Sequence, residues 1–236
     1  MKDVVLSSVT AGYGEKRVLD AFDLTFVGGE VTVVMGSSGV GKTTLLNVLA
    51  GLLPHTGEVS GAEGGVSYIF QKDRLIPQIS VYKNLDLVLR AVQRDKKKRR
   101  ADIEEMLERA EILSEMEKRP TELSGGQALR VAMARAFLYP SEILLMDEPF
   151  RALDLGLKLR LMRVLGKLLS ESPRTVVYIT HDIDECLLAA DRWVVLGGEP
   201  VSVVEEGRID IPRGGRDLAC PELASLRATL TRLLSE

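Results

Sequence analysis

Residues Gly36-Ser-Ser-Gly-Val-Gly41-Lys42-Thr43 follow the spacing G-x-x-x-x-G-K-[ST], and the chemistry of that pattern is the grip of a polyphosphate. Its glycines let the chain curl until backbone N–H groups face an anion, Lys42 can reach β- and γ-phosphates, and the Thr43 hydroxyl suits Mg²⁺. Farther along, the apolar run Ile143-Leu-Leu-Met146 ends in Asp147-Glu148. Two carboxylates at the exit of a buried strand have separate uses beside a triphosphate: Asp147 would hold Mg²⁺, and Glu148 would polarise an attacking water.

Such groups need elements that hold them. Val31-Thr-Val-Val-Met35 is a compact apolar run that leads into the glycines, and Thr44 to Ala50 has helical spacing, so strand, loop and helix follow in the required order. Upstream, Val4 to Leu6, Val18-Leu19 and Leu24 to Phe26 alternate with Gly12, Gly14, Gly28 and Gly29, which predicts short strands joined by tight turns in an antiparallel layer. From Tyr82 to Glu117 the composition shifts to Leu, Ala, Lys, Arg and Glu at helical spacing, a helical insert. Helices are predicted again over Gly126 to Tyr139, Leu157 to Ser170 and Pro221 to Leu234, and a further buried strand over Val176-Val-Tyr-Ile-Thr180. Parallel-type strands alternating with helices indicate an α/β sheet. His181 projects from the end of that last strand, whereas His55 falls in a Pro54-His-Thr-Gly57 turn and is given no role.

The chain has 236 residues, 45% hydrophobic and 28% charged, with a formal net charge of −3. That is the composition of a folded protein with a core, neither disordered nor collagen-like. An acidic balance argues against bulk attraction to nucleic acid, and the one dense basic run, Arg94 to Arg100, reads as a solvated face, with membrane-surface attraction as second choice. Cys186 and Cys220 are too few for a disulfide framework and read as reduced thiols. No signal-peptide pattern opens the chain, and no window reaches the ~18 apolar residues of a membrane span.

Leu123-Ser-Gly-Gly-Gln127 opens the helix predicted over Gly126 to Tyr139, and with it the chain resembles the ATPase subunit of an ATP-binding cassette (ABC) transporter. The match runs over nearly the whole length, with Tyr13, Gly36 to Thr44, Gln71, Leu123 to Gln127, Asp147-Glu148, Leu153-Asp154 and His181 in the family's order. It implies an α/β fold: a P-loop NTPase core with an antiparallel β-subdomain, and residues 82–135 as a helical subdomain inserted in a single ABC ATPase domain spanning 1–236. ATP would be held by Tyr13, stacking on adenine, and by Gly36, Ser37, Ser38, Gly39, Val40, Gly41, Lys42, Thr43 and Thr44. Mg²⁺ would be held by Thr43, Gln71 and Asp147. Glu148 and His181 would be catalytic, the histidine bonding the γ-phosphate and coupling to Glu148. Ser124, Gly125, Gly126 and Gln127 resemble the signature that contacts ATP bound to the opposite subunit. Read alone, Gln71 is an ordinary strand-end glutamine and Ser124 an N-cap with a flexible lead-in. The resemblance therefore implies a head-to-tail pair of ATPase subunits, identical or not, with two shared sites.

Glu148-Pro149-Phe150, the segment Phe70-Gln-Lys-Asp-Arg-Leu-Ile-Pro77 with Val81-Tyr82 and Asn84-Leu85, and the run Ile179-Thr-His-Asp-Ile-Asp-Glu185 resemble ATPases of nitrate, sulfonate and taurine importers. Ala190-Asp-Arg192, Ile209-Asp-Ile-Pro-Arg213 and Pro221-Glu-Leu continue that likeness, with no long C-terminal regulatory domain expected. An integral membrane permease, docked among Gln71 to Asn84, would be the partner. A solute-binding protein outside the membrane would act indirectly, no nucleic acid would be involved, and the subunit would lie peripherally on the cytoplasmic face. The alternatives are an ABC exporter or a soluble ABC ATPase working on a macromolecular complex. Arg151, Leu129 and Gln78 depart from the family's usual residues, which bears on coupling and partner fit rather than on hydrolysis.

Overall fold

The computed structural model describes residues 1–151 and 153–235, so Ala152 and Glu236 lie outside the described residues. In chain order the elements are β1 (Val4–Tyr13), β2 (Lys16–Phe26), β3 (Val31–Gly36), α1 (Lys42–Leu49), β4 (His55–Ser60), β5 (Val66–Ile69), α2 (Val81–Arg90), α3 (Lys96–Arg109), α4 (Gly125–Leu138), β6 (Ile143–Asp147), α5 (Leu155–Glu171), β7 (Thr175–Ile179), α6 (Ile183–Ala189), β8 (Arg192–Gly197), β9 (Ser202–Arg208) and α7 (Pro221–Ser235). They divide into two compact bodies: residues 1–66, 142–148 and 174–236 in the first, residues 67–141 and 149–173 in the second.

The first body holds two sheets. In one, β2, β1 and β4 lie side by side, antiparallel. In the other, strands run in the order β6-β7-β3-β8-β9, with β6, β7, β3 and β8 parallel and β9 antiparallel at the end. All six residues of β3 and all five of β7 are buried, as strands covered on both faces must be, and for that reason they read as continuous apolar runs rather than alternating ones.

The β1–β2 hairpin corrects the expectation of separate short strands. Val18-Leu19 and Leu24 to Phe26 belong to one eleven-residue strand. Core-facing residues of β2 are Leu19, Phe22, Leu24 and Phe26, and those of β1 are Val4, Leu6, Val9 and Ala11, so each strand carries one spacing of three among spacings of two. Bulges supply the extra residue: Ser8 (φ 50°) and Ala21 (φ 46°) are left-handed, and the pairing register shifts beside them. The displaced amides are satisfied by side chains, Ser8 N–H donating to Asp23 at 2.8 Å and Ala21 N–H to the Thr10 hydroxyl at 3.0 Å. His55 is likewise not in a turn: it starts β4 and pairs with Ala11 of β1.

The second body is mostly helical. At its centre, Asp86 of α2 accepts from Arg99 of α3 and Arg90, both at 2.6 Å. Arg99 also donates to the carbonyls of Gln93 and Arg94 at 3.0 and 2.9 Å. Arg94, Lys96, Lys97, Lys98 and Arg100 are exposed, but Arg99 is buried, so the solvated-face reading of the basic run fails at that one residue. Helix α4 ties neighbouring loops to itself: Arg130 donates to Ala110 O at 3.1 Å and the Glu111 carboxylate at 2.6 Å, while Arg135 donates to Asp73 O at 2.6 Å and Arg74 O at 2.9 Å.

Candidate functional site

Strand β3 delivers the chain to Gly36, and α1 begins at Lys42, so the phosphate loop spans a strand end and a helix N-terminus. Two glycines are there by necessity. Gly36 (φ 146°) passes so close to β8 that a Cβ would lie 2.5 Å from Leu196 O, and Gly41 (φ 118°) is wedged where a Cβ would meet Val18 and Val201 at 2.6 and 2.7 Å. Ser37, Ser38 and Gly39 are exposed, with Val40 and Gly41 partly so. Residues 37–40 help wall a cavity of about 490 Å³ together with residues 16–18 and 198–201. Lys16 and Arg17 also line it, Lys16 paired with Glu199 of the same lining at 2.5 Å and Arg17 with Asp20 at 3.2 Å.

Lys42 is buried and its Nζ donates to Gly36 O and Ser37 O, both at 2.8 Å, so the ammonium is folded back under its own loop. Burial pulls its pKa below the ordinary lysine value, and the Glu148 and Asp147 carboxylates push back. The Thr43 hydroxyl is exposed and 3.3 Å from Asp147 Oδ2, while Thr44 is buried beneath. A hydroxyl and a carboxylate at hydrogen-bond distance beside a phosphate loop are hard oxygen donors, fitting Mg²⁺ that keeps waters and takes its remaining ligands from phosphate. Among the described residues no cluster of three or more His, Cys, Asp or Glu could hold a metal alone.

Glu148 leaves β6 in a left-handed conformation, φ 43°, sparsely populated for a residue with a Cβ and associated with sites where the surroundings over-determine the backbone. Its N–H donates to Ile179 O of β7 at 2.9 Å, which pins the turn. The consequence is geometric: Glu148 Oε1 comes to 3.4 Å from Nδ1 of His181, whose side chain is 59% exposed beyond the end of β7. Tyr13 closes β1, is 54% exposed, and accepts a 3.4 Å hydrogen bond from Asn47 of α1. The first body thus brings together Tyr13, residues 36–44, Asp147, Glu148 and His181.

Gln71 and the Ser124–Gln127 segment belong to the second body. Gln71 is exposed just past β5. Ser124 caps α4 in a reciprocal box, its hydroxyl accepting Gln127 N–H at 3.3 Å while Gln127 Oε1 accepts Ser124 N–H at 2.8 Å. Gly125 is exposed, and Gly126 is buried against Leu157 of α5, where a Cβ would lie 2.9 Å away.

Sequence reasoning gave no role to three residues that shape this region. Asn47 holds the Tyr13 hydroxyl, Arg135 holds the loop two residues after Gln71, and Glu185 lies buried below His181. Only Glu185 had a visible signal, its place in the Thr-His-Asp-Ile-Asp-Glu run.

A family profile described as ABC transporter matches residues 19–151. The chain belongs to the ABC transporter family. As an ABC ATPase it is 36% identical over 232 residues to an aliphatic sulfonates import ATP-binding protein, SsuB 1, of Xanthomonas axonopodis pv. citri, covering 94% of this chain and 91% of that one. The SsuB 1 of Nocardia farcinica is 40% identical over 194 residues, covering 82% and 77%. Among solved structures, the ABC cassette superposes on cbiO1 of Clostridium perfringens, part of the ABC transporter complex cbiONQ, with TM-score 0.77 and 26% identity over 87% of this chain and 88% of that one. It also superposes on the dimeric bacterial ABC transporter cassette MJ0796 with TM-score 0.74 and 33% identity over 87% and 98%.

Proposed function

We propose that this ABC ATPase energises a membrane importer for small anions of the aliphatic sulfonate class, hydrolysing Mg-ATP at two sites shared by a head-to-tail pair of subunits. The observation that carries the hydrolytic part is the Glu148–His181 approach at 3.4 Å beside a phosphate loop whose Lys42, Thr43 and Asp147 are already gathered. The importer class and solute rest on the SsuB relatives, and pairing on the dimeric cassette MJ0796.

In this reading, residues 36–44 cradle the phosphates and Tyr13 offers its half-exposed ring to adenine. Lys42 turns from its loop carbonyls to the β- and γ-phosphates. Thr43 and Asp147, with Gln71, would hold Mg²⁺, which would supply charge neutralisation for the phosphates. Glu148 accepts a hydrogen bond from the attacking water, and His181 holds Glu148 and the γ-phosphate in register. Ser124, Gly125, Gly126 and Gln127 complete the partner's site, the α4 N-terminus presenting free amides to its γ-phosphate. The chain acts as one ABC ATPase domain, residues 82–135 forming its helical insert. It sits peripherally on the cytoplasmic face of the membrane, against a membrane-embedded permease, a placement that rests on the import ATP-binding relatives.

The test is uptake in vesicles containing this chain with a candidate sulfonate permease and its solute-binding protein. ATP-driven accumulation of an aliphatic sulfonate, abolished by Glu148→Gln, is expected. Vigorous ATP hydrolysis with no solute accumulated, or outward transport, would contradict the importer reading.

A further inference from the structure

His181 stands at a turn whose flanking residues are both pinned from below by a buried carboxylate. Glu185 of α6 is 2% exposed. Its Oε2 accepts the Thr180 hydroxyl at 2.6 Å and, in a shorter bond, the Tyr178 hydroxyl. Thr180 Oγ1 in turn accepts the backbone N–H of Asp182 at 3.1 Å, and Thr180 N–H donates to Val34 O of β3 at 3.3 Å. The Asp182 side chain then caps α6, accepting from Asp184 N–H at 2.8 Å and Glu185 N–H at 3.3 Å. Residues 178–185 therefore form a closed circuit of hydrogen bonds, strand end to helix and back. His181 is the residue at its open apex, exposed while Thr180 and Tyr178 are buried.

A buried carboxylate is expensive unless its oxygens are engaged, and a strand-to-helix turn needs none, because Asp182 already caps the helix. Glu185 instead fastens the residue immediately before His181 and, through its hydroxyl, the residue immediately after. With both neighbours fixed, the imidazole reaches Glu148 by side-chain rotation from a stationary backbone, the kind of preorganisation on which a reacting geometry depends.

We infer that Glu185 is a positioning residue for ATP hydrolysis, acting through Thr180 to hold the backbone on both sides of His181 so that the imidazole meets Glu148 and the γ-phosphate. This rests on the catalytic roles proposed for His181 and Glu148.

The test is steady-state ATP turnover of Thr180→Val, Thr180→Ser and Tyr178→Phe, each made in the wild-type and His181→Ala backgrounds, with thermal unfolding and retention on immobilised ATP measured alongside. Thr180→Val keeps the side-chain shape but opens the circuit. It is expected to lower kcat by about tenfold or more with KM for ATP within about twofold, and to have no further effect on the residual rate of His181→Ala. Thr180→Ser restores the hydroxyl and should restore kcat to within about twofold, and Tyr178→Phe, which leaves the Thr180 link intact, should do the same. Should Thr180→Val not fold, Thr180→Ala, which likewise removes the hydroxyl, carries the same cycle. An unchanged kcat in the opened circuit, an equal loss in both backgrounds, or a loss in Tyr178→Phe as large as in Thr180→Val would overturn the inference and leave the role of His181 standing. Wild-type turnover by His181→Ala would overturn the proposed role of His181 and, with it, this one.

Discussion

Lys42 donates two hydrogen bonds to its own loop carbonyls, Gly36 O and Ser37 O, the contacts that a bound phosphate would replace in the proposed function, and burial holds its ammonium below the ordinary pKa against two opposing carboxylates. Lys42→Ala should therefore lose nucleotide binding rather than turnover alone, read as failure to be retained on immobilised ATP. Normal retention would contradict the phosphate-loop reading. Asp147 and Thr43 share an oxygen pair at 3.3 Å, so Asp147→Asn should keep ATP binding and shift the Mg²⁺ dependence of hydrolysis upward by at least about tenfold, the scale of a lost charged ligand. An unchanged Mg²⁺ titration would take Asp147 out of the metal's shell. All these residue types were legible in the sequence because each sits in a dense pattern beside an apolar strand. The left-handed backbone of Glu148 and the burial of Glu185 against Thr180 were not, since both depend on how the end of β7 meets them, although Glu185 itself stands in a visible run.

Among the elements, strand and helix identities came through where one period persisted. The β3, β6 and β7 runs are uniformly apolar and α5 keeps a helical stripe, so sequence and structure agree to within about two residues at the ends. They disagree where the period breaks: the bulges at Ser8 and Ala21 cut two long strands into apparent fragments, and acids or glycine interrupt the apolar positions of α6 and β9, whereas β8 carries the uninterrupted run Trp193 to Leu196 and is an element not assigned from sequence. The loop between β3 and α1 makes a sharper claim. Gly41→Ala forces a Cβ against Val18 and Val201 at a left-handed φ, a strain of about 1–3 kcal/mol. A lowered unfolding temperature together with weakened ATP retention is expected, and a variant indistinguishable from wild type in both would contradict that packing. In the helical body, Asp86 is pushed up by burial but pulled further down by hydrogen bonds from Arg99 and Arg90, so its folded pKa lies below the unfolded one. Its contribution is full above the unfolded value of about 3.9 and is lost as pH falls through the folded value. Asp86→Asn strands the buried Arg99, and equilibrium unfolding at pH 7 should show a loss of about 3 kcal/mol, a gap that narrows only below about pH 4. A gap that stayed constant into acid would mean that the pair contributes no net charge stabilisation.

At the scale of the whole molecule, the −3 net charge and 45% apolar content describe a chain with a core and no membrane span of its own among the described residues. Its charges are locally organised against that average. Lys42 lies buried under the phosphate loop, Lys16 is paired with Glu199 beside it, and Arg99, read from sequence as part of a solvated basic face, is the internal counter-ion of Asp86. Neither body carries a complete set of the proposed hydrolytic groups: the phosphate loop and Glu148 belong to the first, and the signature, capped by Ser124, to the second. The proposed function requires two chains, each lending its signature to the other. The most direct measurement is the solution mass of Glu148→Gln by light scattering, with and without Mg-ATP. ATP that binds but turns over at least about a hundredfold more slowly should convert the variant from the mass of one chain to that of two. A variant that stays monomeric with ATP bound, or that hydrolyses it at the wild-type rate, would contradict the proposal that Glu148 completes a shared, paired site.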